Sequence, residues 1–185
     1  MRLWLLRHAA VAWPAGLCYG ASDVPADAAR TRRAAAYWAG VLPMGVRLRV
    51  SALGRAGQLA AALCAWRPDL GPARVDARIN EMDFGRWEGM AWDAIPRTAF
   101  DAWLADFAHH RVGGGESTQA LLDRVAAVLD EELAQARGED AAWITHAGVI
   151  RAVCYLRSGG PMPIPSAAHW PREAPAAGEG LCLDL

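Results

Sequence analysis

Leu3 to Leu6 form a short continuous apolar run that stops at Arg7-His8, the pattern of a central strand covered on both faces. Residues 9–27, rich in Gly and Pro, read as a long loop. From Ala26 to about Gly40, Ala and Arg alternate around Tyr37 and Trp38 in a pattern that suits a helix, with Gly40 as its stop. Val46, Leu48 and Val50 alternate with Arg47 and Arg49, which predicts a strand of period two entered from Gly45. Ser51 opens a helical stretch through Leu59, Leu63 and Trp66, closed by Pro68. Val75 to Ile79 reads as a short edge strand.

Glu81 to Gly115 is irregular, with helical pieces over 91–95 and 99–107, and Gly113-Gly114-Gly115 breaks the chain. Ser117 to Ala136 is the clearest helix, capped by Ser117, with Leu121, Val125, Val128, Leu129 and Leu133 on one face. Trp143-Ile144-Thr145 predicts a strand, Ala147 to Leu156 a helix, Pro161 to Gly180 a loop and Leu181 to Leu185 a last strand. Strands that alternate with helices point to a three-layer α/β/α sandwich with a mostly parallel central sheet. The length of 185 residues fits a single domain over 1–185.

Composition narrows the functions. All 19 cationic residues are Arg, so a lysine nucleophile, a Schiff base and a P-loop are excluded. The net charge of −1 argues against a nucleic-acid or anionic-membrane partner. The four Cys, at 18, 64, 154 and 182, lack paired spacing and read as free thiols in a reducing compartment. The first apolar run is too short for a signal peptide or a membrane span, so a cytoplasmic location is expected.

The chemistry collects at strand ends. Arg7-His8 closes the first strand, His146 follows another, and Ser51 ends a third with Arg55 one turn into the next helix. In open α/β folds the carboxyl ends of the strands form the ligand crevice. His146-Ala147-Gly148 also sits at a predicted helix N-terminus, where free N–H groups attract anions. Singly, a His after a strand is an ordinary hydrogen-bonded loop residue, and an Arg in a first turn is ordinarily solvated. Their joint occurrence leaves catalysis and plain structure both open.

Five segments, in order, resemble the histidine phosphatases, the phosphoglycerate-mutase-like superfamily. They are Leu6-Arg7-His8-Ala9, Ser51-Ala52-Leu53-Gly54-Arg55-Ala56-Gly57-Gln58, Glu81 through Gly89, Gly114-Gly115-Glu116-Ser117, and Thr145 through Arg151. The resemblance implies that fold and a phosphomonoesterase that needs no metal or other cofactor. It makes His8 the nucleophile and Glu81 a general acid and base with a pKa raised by Met82, Phe84 and Trp87. Arg7, Arg55, Ala147 and a protonated His146 would hold the phosphate, with Glu88 in a structural role. The His109-His110 pair reads as a solvated helix end. Ala9 replaces the usual Gly of the first motif, and Val11 and Pro14 stand where many members have Thr and Asn.

The segment Cys18-Tyr19-Gly20-Ala21-Ser22-Asp23 is similar to one in α-ribazole phosphatases, which act in assembly of the cobalamin lower ligand. On that reading the substrate is a small phosphomonoester such as α-ribazole 5′-phosphate, with Tyr19, Ser22 and Trp87 as substrate contacts and Trp92 as a further stacking ring. A phosphoglycerate mutase-type isomerase and an inactive phospho-ligand-binding relative are the alternatives. No nucleic-acid or membrane partner is expected, and a homodimer is left open.

Overall fold

The computed structural model describes residues 1–135 and 138–185. Strands β1 (Arg2–Arg7), β2 (Arg47–Val50), β3 (Arg74–Val75), β4 (Ala141–Thr145) and β5 (Gly180–Asp184) form one sheet in the order β3-β2-β4-β1-β5. Pairing is parallel except for β5, which runs antiparallel along β1. Helices α1 (Ala28–Val41) and α2 (Gly54–Trp66) pack together on one face, and α4 (Thr118–Gln135) and α5 (Ala147–Arg157) on the other. The short α3 (Arg97–Ala105) lies in the segment between β3 and α4.

The central strands separate two cores. Leu3 and Leu5 of β1, with Ala141 and Trp143 of β4, enter the core under α4 and α5. Leu6, Ala142 and Ile144 enter the core under α1 and α2. This is why β1 shows no polar alternation: both of its faces are dry.

Helix starts follow local chemistry. The Asp27 carboxylate accepts from Arg30 N at the start of α1, and Ser117 Oγ accepts from Ala120 N at the start of α4. The expected helix end at Ala136 lies outside the described residues.

One expectation changes. The edge strand over Val75–Ile79 shrinks to Arg74–Val75, because Asp76 accepts from Arg78 N and turns Ala77–Ile79 into a 3-10 helix. Arg49, one of the arginines that alternate with the apolar positions of β2, is buried among carboxylates. Among the described residues no helix is long and apolar enough to cross a membrane.

Candidate active site

Sheet order does most of the assembly. β2, β4 and β1 are neighbours, so residues just past their carboxyl ends meet. His8 N donates to Thr145 O at 3.1 Å and Ser51 N to Ile144 O at 3.0 Å, which fastens the three strand ends to one another. The His8 and His146 rings stand 5.0 Å apart, close enough for both to touch one tetrahedral anion.

The hydrogen bonds fix the ring protons. His8 Nδ1 lies 2.7 Å from Ala9 O, an acceptor, so Nδ1 carries the proton and Nε2 keeps a lone pair. Arg55 Nε points at that lone pair from 3.3 Å. Asn80 Oδ1 accepts from Ala52 N, which makes it the acceptor for the Ser51 hydroxyl as well. Ser51 Oγ therefore accepts from His146 Nε2 at 2.7 Å. Neutral His146 is thus protonated on Nε2, and its Nδ1 is buried without a partner. The Nε of Arg7 is likewise buried and unpartnered, while its terminal nitrogen donates to Pro175 O.

Burial pushes the His8 pKa down to about 3, and the Arg55 and then Arg7 charges add to the fall, against the Ala9 hydrogen bond. Burial first, then His8 and Arg55, also lowers His146. The protonated His146 expected from the sequence is therefore neutral in the free protein. Burial lowers Arg55 too, though Glu81 and Tyr19 pull the other way; a guanidinium keeps its charge regardless.

Glu81 hangs from a loop clamped on both sides. Thr145 Oγ1 donates to Ile79 O, and Gly148 N donates to Glu81 Oε2 at 3.1 Å. A Cβ at position 148 would strike the Glu81 carboxylate, so only glycine permits this approach. Arg124 of α4 donates to the carbonyls of Arg78 and Glu81 and forms a two-pronged pair with Glu116. Arg124 was missed in the sequence. The Glu116 of Gly114-Gly115-Glu116-Ser117 was the available signal, since a carboxylate beside a buried loop needs a cation.

A cavity of about 440 Å³ opens in front of these groups. Arg7, Tyr19, Glu81, Ala147 and Gly148 form its near end. The Arg55 guanidinium sits over the Tyr19 ring at 5.1 Å. Two expected substrate contacts lie elsewhere. The Ser22 hydroxyl and amide are bound by Glu88, which also takes the amides of Ala21 and Phe84 and pins the 19–22 loop in the role expected of it. Trp87 is 4% exposed, packed against Phe100 and Trp103, and does not line the cavity. Trp92 lines it, joined by Phe84, Trp103, Trp170 and Arg151, which sequence reasoning did not single out as site residues. Among the described residues, no three His, Cys, Asp or Glu side chains converge as a metal-ligand set.

The profile of the histidine phosphatase superfamily (branch 1) matches residues 3–173. The chain belongs to this superfamily. Among solved structures, a mycobacterial glucosyl-3-phosphoglycerate phosphatase in complex with VO3 superposes with a TM-score of 0.80, at 24% identity over 99% of this chain and 92% of that one. The protein TTHB049 from Thermus thermophilus is 27% identical over 100% of this chain and 94% of its own, with a TM-score of 0.72. A phosphoglycerate mutase from the same organism is 28% identical over 100% and 93%, with a TM-score of 0.70. No curated protein matches the sequence significantly.

Proposed function

We propose that this protein is a phosphomonoesterase that works through a phosphohistidine on His8. The observation that carries the reading is the His8 ring. Its Nδ1–H is committed to Ala9 O, and its Nε2 lone pair faces Arg55, 5.0 Å between ring centres from a second histidine. An arriving phosphate gives Arg55 and Arg7 the anion they lack, which draws Arg55 Nε off the lone pair.

Nε2 then attacks phosphorus as the ester P–O bond breaks, and Glu81 gives its carboxyl proton to the departing alkoxide. Arg7, Arg55, the Ala147 amide and His146, once it has taken up a proton at Nδ1 beside the bound dianion, hold the equatorial oxygens through the displacement. In the second half, Glu81 takes a proton from water, the new P–O bond forms, and the P–N bond returns its pair to Nε2.

Within this class, α-ribazole 5′-phosphate heads the substrates to try, on the strength of the Cys18-Tyr19-Gly20-Ala21-Ser22-Asp23 segment and of Tyr19 beside the phosphate end. The first test is acid-labile, protein-bound phosphate after rapid quenching, in wild type and in His8→Ala. The variant loses both label and turnover; wild-type turnover in it would sink the mechanism. A phosphomonoester panel that includes α-ribazole 5′-phosphate and 3-phosphoglycerate ranks substrates. Vanadate inhibits, and EDTA leaves activity in place.

A further inference from the structure

Beyond its phosphate end the cavity is bounded by rings from separate stretches of chain: Phe84, Trp92, Trp103 and Trp170. They belong to one run of touching aromatics. Trp92 meets Phe84 edge-on at 5.4 Å, and Phe84 meets Trp103 at 6.3 Å. Trp103 stacks on Phe107 at 5.4 Å, and Phe107 meets Trp170 at 6.2 Å. The polar handle of Trp103 is already used, since its Nε1 donates to Thr118 Oγ1 at 3.1 Å.

The last of these rings comes from the Pro- and Ala-rich stretch before β5, which is tied down along its length. Arg151 donates to Arg172 O and Arg7 to Pro175 O. Gly178 N donates to His8 O at 2.9 Å, and Trp38 Nε1 donates to Gly178 O at 3.0 Å. The strap therefore reaches the nucleophile's own backbone and both arginines that line the cavity. Trp170 leads into this strap, its N donating to Ala167 O and its ring meeting Phe107.

We infer that the strap over 170–178 completes a leaving-group subsite, and that this subsite takes a flat, apolar ring carried on the alcohol of the phosphoester. The inference rests on the phosphatase reading and goes beyond it by naming the walls and the chemical class of the leaving group. Ring-lined, partly exposed surface is unfavourable in water and gains most by covering another ring. A second anion fits less well. Among the described residues, Arg151 is the one cation on the lining besides Arg7; one of its terminal nitrogens donates to the Arg172 carbonyl, and its Nε is buried.

The test compares 2-phenylethyl phosphate with ethyl phosphate, two alkoxide leaving groups that differ by a ring. KM is the readout because it does not depend on how much of a variant folds. Wild type shows a KM about tenfold or more lower for the phenylethyl ester. Trp170→Ala brings that ratio below about threefold, and Trp170→Phe restores most of it. Trp92→Ala, on a separate stretch of chain, lowers the ratio as well and serves if Trp170→Ala does not fold. Equal KM values in wild type, or a ratio that neither tryptophan variant changes, overturns the subsite. A clear preference for 3-phosphoglycerate over both esters also overturns it, with Arg151 then reading a carboxylate and the phosphatase reading intact. Failure of wild type to hydrolyse any phosphoester would instead bring down the phosphatase reading, and the subsite with it.

Discussion

Arg49 and Arg55 stand on either side of the β2–α2 turn, and both are withdrawn from water, at 3% and 0% exposure. Their surroundings differ in kind. Arg49 is paired with Asp76, Glu131 and Glu132, and its guanidinium lies over Trp143 at 5.9 Å. Trp143 Nε1 and Arg47 donate to the same Glu132, and Arg74 and Arg78 bind Glu131. Burial alone would raise the Asp76 pKa, but hydrogen bonds from Arg78 and Arg49 outweigh it and hold the group at about 2. Arg55 has no such company. It donates to the Ser22 and Gly20 carbonyls and to the His8 ring, and among the described residues no carboxylate oxygen lies within ion-pair distance. A buried cation held only by neutral acceptors costs the fold several kcal/mol, about what an arriving anion returns. A compensated arginine is structure, and an uncompensated one marks where the ligand's charge belongs.

Substitution by methionine separates the two. Arg55→Met should lower kcat/KM by about 10³, the loss expected when a principal donor to the transferring phosphoryl group is removed. Its urea midpoint should stay level or rise, since an unpaired charge has left the interior. Near-normal activity together with a fall in stability would erase the distinction. Arg49→Met takes the buried partner from three carboxylates, leaving them Arg78, Arg74 and Arg47, and should cost at most about 3 kcal/mol in a denaturant titration. Turnover per folded molecule should remain that of wild type, because nothing in the Arg49 cluster lines the cavity.

Glu81 sharpens the active-site half of the contrast, because the task proposed for it is proton transfer and not charge balance. Glu81→Gln should lower turnover of ethyl phosphate by about 10² while costing p-nitrophenyl phosphate less than about tenfold, since the nitrophenolate leaves without a proton. Equal losses on both esters would remove Glu81 from the acid role. Arg124→Gln, which loosens the clamp on Arg78 and Glu81, should reproduce that alkyl-selective loss in weaker form.

The contrast explains which parts were readable from the sequence. His8, Arg55 and His146 announced themselves because each sits at a fixed offset from a strand end, and offsets survive in one dimension. Glu81 did so only through the resemblance of the Glu81–Gly89 stretch. The burial of Arg49 was not legible, because strand alternation says which face a side chain takes and not what covers that face. Its carboxylates arrive from α4 and from the turn after β3. Ser22 and Trp87 lie in segments that do reach the site, but their side chains serve Glu88 and the aromatic core. Trp170 was invisible for a different reason. It stands in a stretch with no periodicity, just ahead of the Arg172 and Pro175 carbonyls that meet Arg151 and Arg7, and a main-chain contact leaves no mark on composition.

The smallest expected effect concerns protons. An unfolded histidine takes a proton near pH 6.5, whereas burial, Arg55 and Arg7 hold folded His8 unprotonated down to about 3. Between those values the unfolded chain binds more protons, so the contribution of His8 to stability is full above the unfolded pKa and is lost as pH falls. Each such histidine adds a slope of about 1.4 kcal/mol per pH unit across the middle of that window. His8→Gln should flatten the wild-type slope by about that amount between about pH 5.5 and 4. The Arg49 cluster enters only toward the lower edge of that window, because Asp76 and Glu131 stay ionised to about pH 2 in the folded chain while the unfolded carboxylates take protons below about pH 4.5. A bound phosphate supplies the missing negative charge and raises His146, whose Nδ1 is without a partner, so binding near pH 6 should take up a fraction of a proton. Calorimetry in two buffers of different ionisation enthalpy measures that uptake directly. Binding with no proton uptake would mean that His146 does not face the anion.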